Sequence, residues 1–138
     1  MSNRKLLQSL GNLEKALTRL EEALVEDLSN SLLVDGTIQR FEFTIELYWK
    51  TLKQILDSEG IETKTPRETL KEAYQIGWIN DEIAWLQMLK DRIETSHTND
   101  EEATLRILRN IKEYFPRNEV HTQDLTKKSR QLKCLHLT

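Results

Sequence analysis

The chain has 138 residues, of which 31% are charged while only four are glycine and two are proline. A single domain of this length buries roughly 70% of its unfolded surface, so a core of its own is expected. The formal charge of −3 argues against a surface that coats nucleic acid broadly, although it leaves room for a local basic groove.

Cysteine usage and hydropathy indicate the compartment. Cys134 is the only cysteine, so no internal disulfide can form, which is typical of a reducing cytoplasm. The segment from Met1 to Leu10 lacks the apolar run of a signal peptide, and no stretch approaches the roughly 18 apolar residues of a membrane helix. We therefore expect a cytoplasmic protein that makes no contact with a membrane.

Leucines at alternating steps of four and three residues predict a first helix from about Arg4 to Glu26. This spacing is typical of a bundle helix that packs on its neighbours. The leucines are Leu6, Leu10, Leu13, Leu17, Leu20 and Leu24.

A second helix is predicted after a polar connection at 27–36, with Asp35 as its cap and Ser58 at its end. Gly60 follows and supplies the stop. The apolar residues cover more than one face, which is typical of a helix that lies centrally in a bundle or is shared with another subunit. They are Ile38, Phe41, Phe43, Ile45, Leu47, Tyr48, Trp49, Leu52, Ile55 and Leu56.

Helix-start signals predict two further helices. Thr65, Pro66 and Glu68 form a capping box with proline at the first helical position, which opens a short third helix. Gly77 ends that helix, and Asn80 is predicted to cap the fourth.

The fourth helix carries two stripes at helical spacing. The main apolar stripe consists of Ile83, Leu86, Leu89 and Ile93. The second stripe, on an adjacent face, consists of Trp85, Met88 and Arg92. An arginine in line with two large apolar side chains indicates a functional site rather than plain scaffold.

A fifth helix is predicted from the capping box of Thr98 and Glu101 to about Tyr114, and Pro116 closes the regular structure. The polar segment 117–138 is interpreted as a loosely ordered tail. Its histidines and cysteine show no spacing of a metal site. They are His121, Cys134 and His136.

The pattern as a whole predicts an all-α fold, because no strand pattern is present. The expected architecture is an antiparallel up-and-down bundle of four main helices and a short one, joined by short connections. The bundle domain is predicted to span 1–116 and the tail 117–138.

Three blocks of the sequence resemble one known family in the same order. They are Arg40–Lys53, Thr65–Tyr74 and Trp85–Glu102. Together they resemble the nucleotidyltransferase substrate-binding proteins, a HEPN-like bundle family, over about Leu6 to Phe115. The three blocks are specific in combination, whereas each alone would be a weak signal.

The resemblance implies a helical bundle that is usually dimeric and works with a separately encoded minimal nucleotidyltransferase. Relatives include toxin–antitoxin pairs in which the HEPN protein is a metal-independent ribonuclease. In those pairs the nucleotidyltransferase is the antitoxin and can adenylylate a tyrosine of its partner. The chain has no Gly-rich phosphate loop and no transferase motif of its own, so we expect it to be the partner subunit, without a cofactor.

The family motif of an arginine, four to six residues and a histidine maps to Arg92 and His97. Metal-free RNA cleavage requires the ribose 2′-hydroxyl to attack the neighbouring phosphate. Histidine can move that proton near neutral pH, and arginine can neutralise the phosphate. Positions five apart on one helix point roughly 140° from each other. A site shared across a dimer, with Trp85 and Met88 supplying apolar contact, is therefore expected.

Two departures from the family pattern weaken the expectation of cleavage. Ile93 follows the arginine where relatives commonly carry a polar residue, and Asn99 replaces the tyrosine that would be adenylylated. The first hypothesis is therefore a binding subunit that pairs with the nucleotidyltransferase. The second is a HEPN ribonuclease toxin that uses Arg92 and His97, and the third is a helical scaffold in which the motif is a relic.

Simpler interpretations of these residues are also compatible with the sequence. Arg92 pairs with Asp91, Glu94 or an acid on another helix in the plain alternative, and His97 is then a loop residue near a helix start. The candidate binding and interface residues are Arg40, Trp49, Trp85 and Met88. Cations also recur along one side of the second helix, either as a solvated face or as a contact to phosphate or an acidic partner surface. They are Arg40, Lys50 and Lys53. For the chain as a whole, nucleotide and RNA stay open as ligands.

Overall fold

The computed structural model describes residues 2–25, 30–79, 81–95 and 100–113. Within these ranges the secondary structure is helical and contains no strand, so the all-α prediction is confirmed. The helices are α1 (Ser2–Leu24), α2 (Ser31–Ser58), α3 (Pro66–Gln75), α4 (Glu82–Thr95) and α5 (101–113). The predicted tail, 117–138, lies outside the described residues.

The helix α2 is the central element of the bundle, as its broad apolar coverage predicted. It packs against α1, α3 and α4, and α3 also packs against α4. All six leucines predicted for the stripe of α1 are buried against it. The helix α5 adds Ile107, Leu108 and Ile111 to the same core. None of the described helices combines the length and the apolar character needed to cross a bilayer.

The start of α2 differs from the predicted one. The helix begins at Ser31, and the side chain of Asn30 accepts a hydrogen bond from the amide of Leu32 at 2.9 Å. Asp35 therefore lies inside the helix and is exposed. The earlier start lets Val34 enter the core, where it is 3% exposed, so burial of this side chain accounts for the extra turn.

Both predicted glycine stops are confirmed. Gly60 and Gly77 have φ of +81° and +86°, a conformation that side chains with a Cβ rarely adopt. After α2, the amides of Gly60 and Ile61 donate to the carbonyls of Asp57 and Leu56, which satisfies the last carbonyls of the helix. The same pair of hydrogen bonds follows α3 at Gly77 and Trp78.

The predicted cap of α3 is confirmed, whereas the caps of α4 and α5 need correction. Thr65 Oγ1 accepts from the amide of Glu68 at 3.1 Å. At α4 the capping acceptor is Asp81, whose Oδ1 accepts from the amide of Ala84 at 3.0 Å, while Asn80 lies outside the described residues. At α5 Asp100 Oδ1 accepts from the amide of Glu102, and Thr98 also falls outside them.

The helix α4 turns a different face to the core from the one predicted. Trp85 and Met88 are each 2% exposed, whereas Ile83 and Ile93 of the predicted main stripe are 83% and 54% exposed. Leu86 and Leu89 are only partly buried. An indole buries far more apolar surface than a branched aliphatic side chain, so the rotation that buries Trp85 is favoured.

Candidate functional site

Arg92 lies in the last turn of α4, where a cation is favoured by the helix dipole. Its side chain reaches across to α2 and is 25% exposed. Arg92 Nη1 lies 3.5 Å from Glu42 Oε2, and Arg92 Nε lies 3.6 Å from Glu46 Oε1. These distances exceed those of short charge-assisted hydrogen bonds, so the contacts are ion pairs. Accordingly, the buried Nε–H has no hydrogen-bond acceptor among the described residues.

The two carboxylates share one face of α2, because they are four residues apart. Further groups hold them there. Thr95 Oγ1 lies 3.1 Å from Glu42 Oε2 and 2.8 Å from the carbonyl of Arg92, so its single hydroxyl proton can serve either acceptor. Glu46 Oε2 accepts a hydrogen bond from the indole of Trp49 at 3.2 Å. The guanidinium is thus part of a network that joins the end of α4 to the middle of α2.

Asp91 and Glu94, the acids near Arg92 in the sequence, have other partners. Glu94 Oε1 accepts from Arg106 of α5 at 2.9 Å. Asp91 Oδ1 accepts from the side-chain amide of Gln87 at 3.0 Å. The structure therefore selects an acid pair on another helix as the partner of Arg92. Sequence reasoning missed Glu42 and Glu46, although their four-residue spacing inside the Arg40–Lys53 block was a usable signal.

Asp91, next to the motif arginine, is a buried carboxyl. It is 2% exposed, and its Oδ2 atom has no hydrogen-bond partner among the described residues. Burial raises the pKa of Asp91 above its usual value of 3.8, an effect that the hydrogen bond from Gln87 partly offsets.

Trp85 and Met88 have a packing role in the described structure. Trp85 stacks on Tyr48 of α2, with ring centroids 3.4 Å apart and an interplanar angle of 10°. The hydroxyl of Tyr48 is buried without a hydrogen-bond partner among the described residues, and burial holds its pKa well above 10.0. Because Trp85 and Met88 lie inside the core, they offer no surface to a second subunit in this conformation.

The remaining candidates are dispersed. Arg40 is exposed and donates from Nη1 to the carbonyl of Arg19 on α1 at 2.9 Å. The amine of Lys53 instead donates to the carbonyl of Thr63 at 2.7 Å, and that of Lys50 pairs with Glu46 at 3.8 Å. These three cations thus do not share one face.

His97, the histidine of the motif, and Asn99 both lie outside the described residues. On the described side of the motif, Arg92 approaches α2, while the neighbouring side chain of Ile93 is exposed. The arginine of the motif is thus held by the two carboxylates of α2.

Residues 8–127 match the sequence model of the family described as nucleotidyltransferase substrate binding protein like. The chain belongs to this family. Its sequence is 30% identical over 123 residues to a Haemophilus influenzae protein named probable ribonuclease HepT, and the match covers 78% of this chain and 84% of the relative. The match to the family model also extends beyond the helices described above.

Two solved structures share the fold of this family member. A Thermus thermophilus protein superimposes with a TM-score of 0.71 at 30% identity, covering 86% of this chain and 98% of that one. A Haemophilus influenzae protein superimposes with a TM-score of 0.67 at 28% identity, covering 88% and 98%. The latter structure was described as the fold of a substrate binding domain of a nucleotidyltransferase. The helical bundle is therefore the fold of the family.

Proposed function

We propose that this chain is a binding subunit that forms a cytoplasmic homodimer and pairs with a separately encoded minimal nucleotidyltransferase. Membership of the nucleotidyltransferase substrate binding family supports the pairing. The observation that favours binding over catalysis is the position of Arg92 between Glu42 and Glu46. This arrangement neutralises the one described cation of the family motif.

The carboxylates of Glu42 and Glu46 disfavour the binding of a phosphate at Arg92. A phosphate that approached Arg92 would meet two negative charges beside one positive charge. At a separation of 4 Å, each unit-charge repulsion is worth about 1 kcal/mol in water and about 4 kcal/mol near a protein surface. The guanidinium would first have to leave both acids, so it is better suited to joining α4 to α2 than to holding a scissile phosphate.

Dimerisation is the second part of the proposal. The five-residue separation of Arg92 and His97 favours a motif completed across a two-fold axis. Ile93 on α4 is 54% exposed, and Trp49 on α2 is only partly buried, so both helices retain apolar surface for a second subunit. Light scattering after size exclusion measures the mass directly.

The pairing is tested by co-expression of the tagged full chain with the minimal nucleotidyltransferase encoded next to it. We expect both proteins to co-purify in a fixed ratio, with two or more copies of this chain. A chain that stays strictly monomeric and captures no nucleotidyltransferase would contradict the proposal.

A second candidate function, a metal-independent ribonuclease toxin, is favoured by one specific finding. The relative with 30% identity is named a probable ribonuclease, and Arg92 and His97 keep the spacing of the motif. This function predicts that expression of the chain arrests growth and that co-expressed nucleotidyltransferase relieves the arrest. Because Asn99 replaces the tyrosine, relief would have to come from binding and not from adenylylation at that position.

A further inference from the structure

The packing of α1 against α2 leaves an open groove of about 620 Å³ along their outer seam. Small or buried residues, including Ala16 and Thr44, line its floor. The hydroxyl of Thr44 lies 3.4 Å from the carbonyl of Ala16, so the two backbones approach closely there. The groove is separate from the network around Arg92, which lies between α2 and α4.

The walls of this groove are basic. Three cations line it, Lys15, Arg19 and Arg40, against the single carboxylate of Glu22. None of the ion pairs among the described residues involves these three cations, whereas Arg92 has two carboxylates beside it. In a chain with a net charge of −3, a groove with two more cations than anions favours an anionic ligand.

One of the cations is already positioned. Arg40 Nη1 donates to the carbonyl of Arg19 at 2.9 Å, so its guanidinium bridges the seam between the two helices. A guanidinium retains other N–H donors in this arrangement. Restricting the side chain before a ligand arrives reduces the entropy lost on binding.

An aromatic side chain borders the same groove. Phe43 follows Arg40 by three residues on α2, lines the groove and is 63% exposed. Proteins that bind single-stranded nucleic acids combine an exposed aromatic ring with arginines, since a base stacks on the ring and the cations neutralise the phosphate. An acidic peptide would use the cations but would leave the ring without a partner.

We propose that the α1–α2 groove binds a nucleotide, with its phosphate at Lys15, Arg19 and Arg40 and its base against Phe43. The nucleotide is either free or part of a single-stranded RNA, because both present the same phosphate and base. This inference deepens the proposed function by naming the ligand of the binding subunit. It concerns the chain alone, so binding of nucleotide and capture of the nucleotidyltransferase can fail independently.

The test is direct binding to the purified full chain. One arm titrates a fluorescent single-stranded RNA of about ten nucleotides, a length within the range that such grooves occupy, and follows its anisotropy. The other arm titrates ATP by calorimetry. The tighter of the two ligands identifies the source of the nucleotide. An acidic peptide of matched charge serves as competitor in both arms.

Matched variants locate the site. Phe43→Ala should weaken binding about tenfold, since one base–aromatic stack contributes about that factor, while Tyr74→Ala, a comparably exposed aromatic on α3, should not. Arg40→Gln should weaken RNA binding and reduce the slope of log affinity against log salt by about 0.7, whereas Lys71→Gln on α3 should leave both unchanged. Lys15→Gln removes a cation that donates no described hydrogen bond and should act like Arg40→Gln.

The outcomes divide clearly. Saturable binding that is weakened by the groove variants and not by the α3 controls supports the proposal, with circular dichroism confirming that each variant is folded. Absence of saturable binding to both RNA and ATP would overturn it. So would an affinity unchanged in Phe43→Ala and Lys15→Gln, or displacement by the acidic peptide as effective as displacement by nucleotide. Nucleotidyltransferase captured by a chain that binds no nucleotide would overturn this inference alone.

Discussion

The guanidinium of Arg92 is one positive charge between two carboxylates on a neighbouring helix. Arg92 and Glu42 have side chains that are 25% and 27% exposed, so their attraction is screened less than that of a fully exposed pair. The pair therefore contributes to holding α4 against α2, and its energy can be measured separately from any activity.

A double-mutant cycle of Arg92→Gln and Glu42→Gln should give a favourable coupling of about 0.5–1 kcal/mol in urea unfolding. The coupling should shrink as salt is added. Arg106→Gln with Glu94→Gln is the matched control, because that pair is 65% and 41% exposed and should couple less. Additive effects at Arg92 and Glu42 would show that the ion pair contributes nothing.

Asp91 gives stability a specific pH dependence. Its pKa is raised by burial in the folded state, so the stability linked to its proton is present below the unfolded pKa and is lost as pH rises through the folded pKa. Asp91→Asn removes this dependence. The variant should therefore gain stability relative to the wild type as pH rises from about 3.8 through the folded pKa towards neutrality.

Urea unfolding across that pH range measures the difference. Asp35→Asn, at an exposed position of α2, controls for the loss of a carboxylate and should show no comparable trend. A difference between Asp91→Asn and wild type that stays constant with pH would contradict a pKa of Asp91 that burial raises.

At the scale of the helix, local signals predicted boundaries better than orientation. The cap at Thr65 and the stops at Gly60 and Gly77 are set by residues within one turn, so they could be predicted from the sequence. The face that α4 turns inward depends on which side chains α2 presents to it. Tyr48, which receives Trp85, lies 37 positions earlier in the chain, beyond the reach of a periodicity within one helix.

The orientation of α4 predicts a sharp contrast between two substitutions. Trp85→Ala should lower the free energy of unfolding by about 3–5 kcal/mol, because a buried indole is removed and a cavity is left. Ile83→Ala should change it by less than about 0.5 kcal/mol, since that side chain is 83% exposed. Denaturant unfolding of both variants decides between the two faces, and the reverse order would restore the stripe that the periodicity favoured.

The site shows the same limit of local reasoning. Arg92 could be found from the motif. The spacing of Glu42 and Glu46 places both on one face of α2, but their pairing with Arg92 could not be predicted, since they precede it by fifty and forty-six positions. Likewise, Arg40 was recognisable as a candidate, whereas Arg19 and Lys15 join it only through the packing of α1 on α2. In each case the sequence pattern identified a residue on one helix, whereas its neighbours on the other helix follow only from tertiary packing.

At the scale of the whole molecule, two regions of opposite character lie on either side of α2. Towards α4, a cation is neutralised by acids and supports the bundle. Towards α1, three cations line an open groove. In our proposal, binding belongs to the α1 side, and the ion pairs of Arg92 hold α4 against α2.

Metal-free RNA cleavage by the purified full-length chain tests this division most directly. Wild-type protein and His97→Ala, each verified to have the same oligomeric mass, are incubated with RNA in the presence of a chelator. A binding subunit with a neutralised Arg92 should cleave no faster than His97→Ala. Cleavage by the wild type that is abolished in His97→Ala would contradict the proposed function and establish the ribonuclease instead.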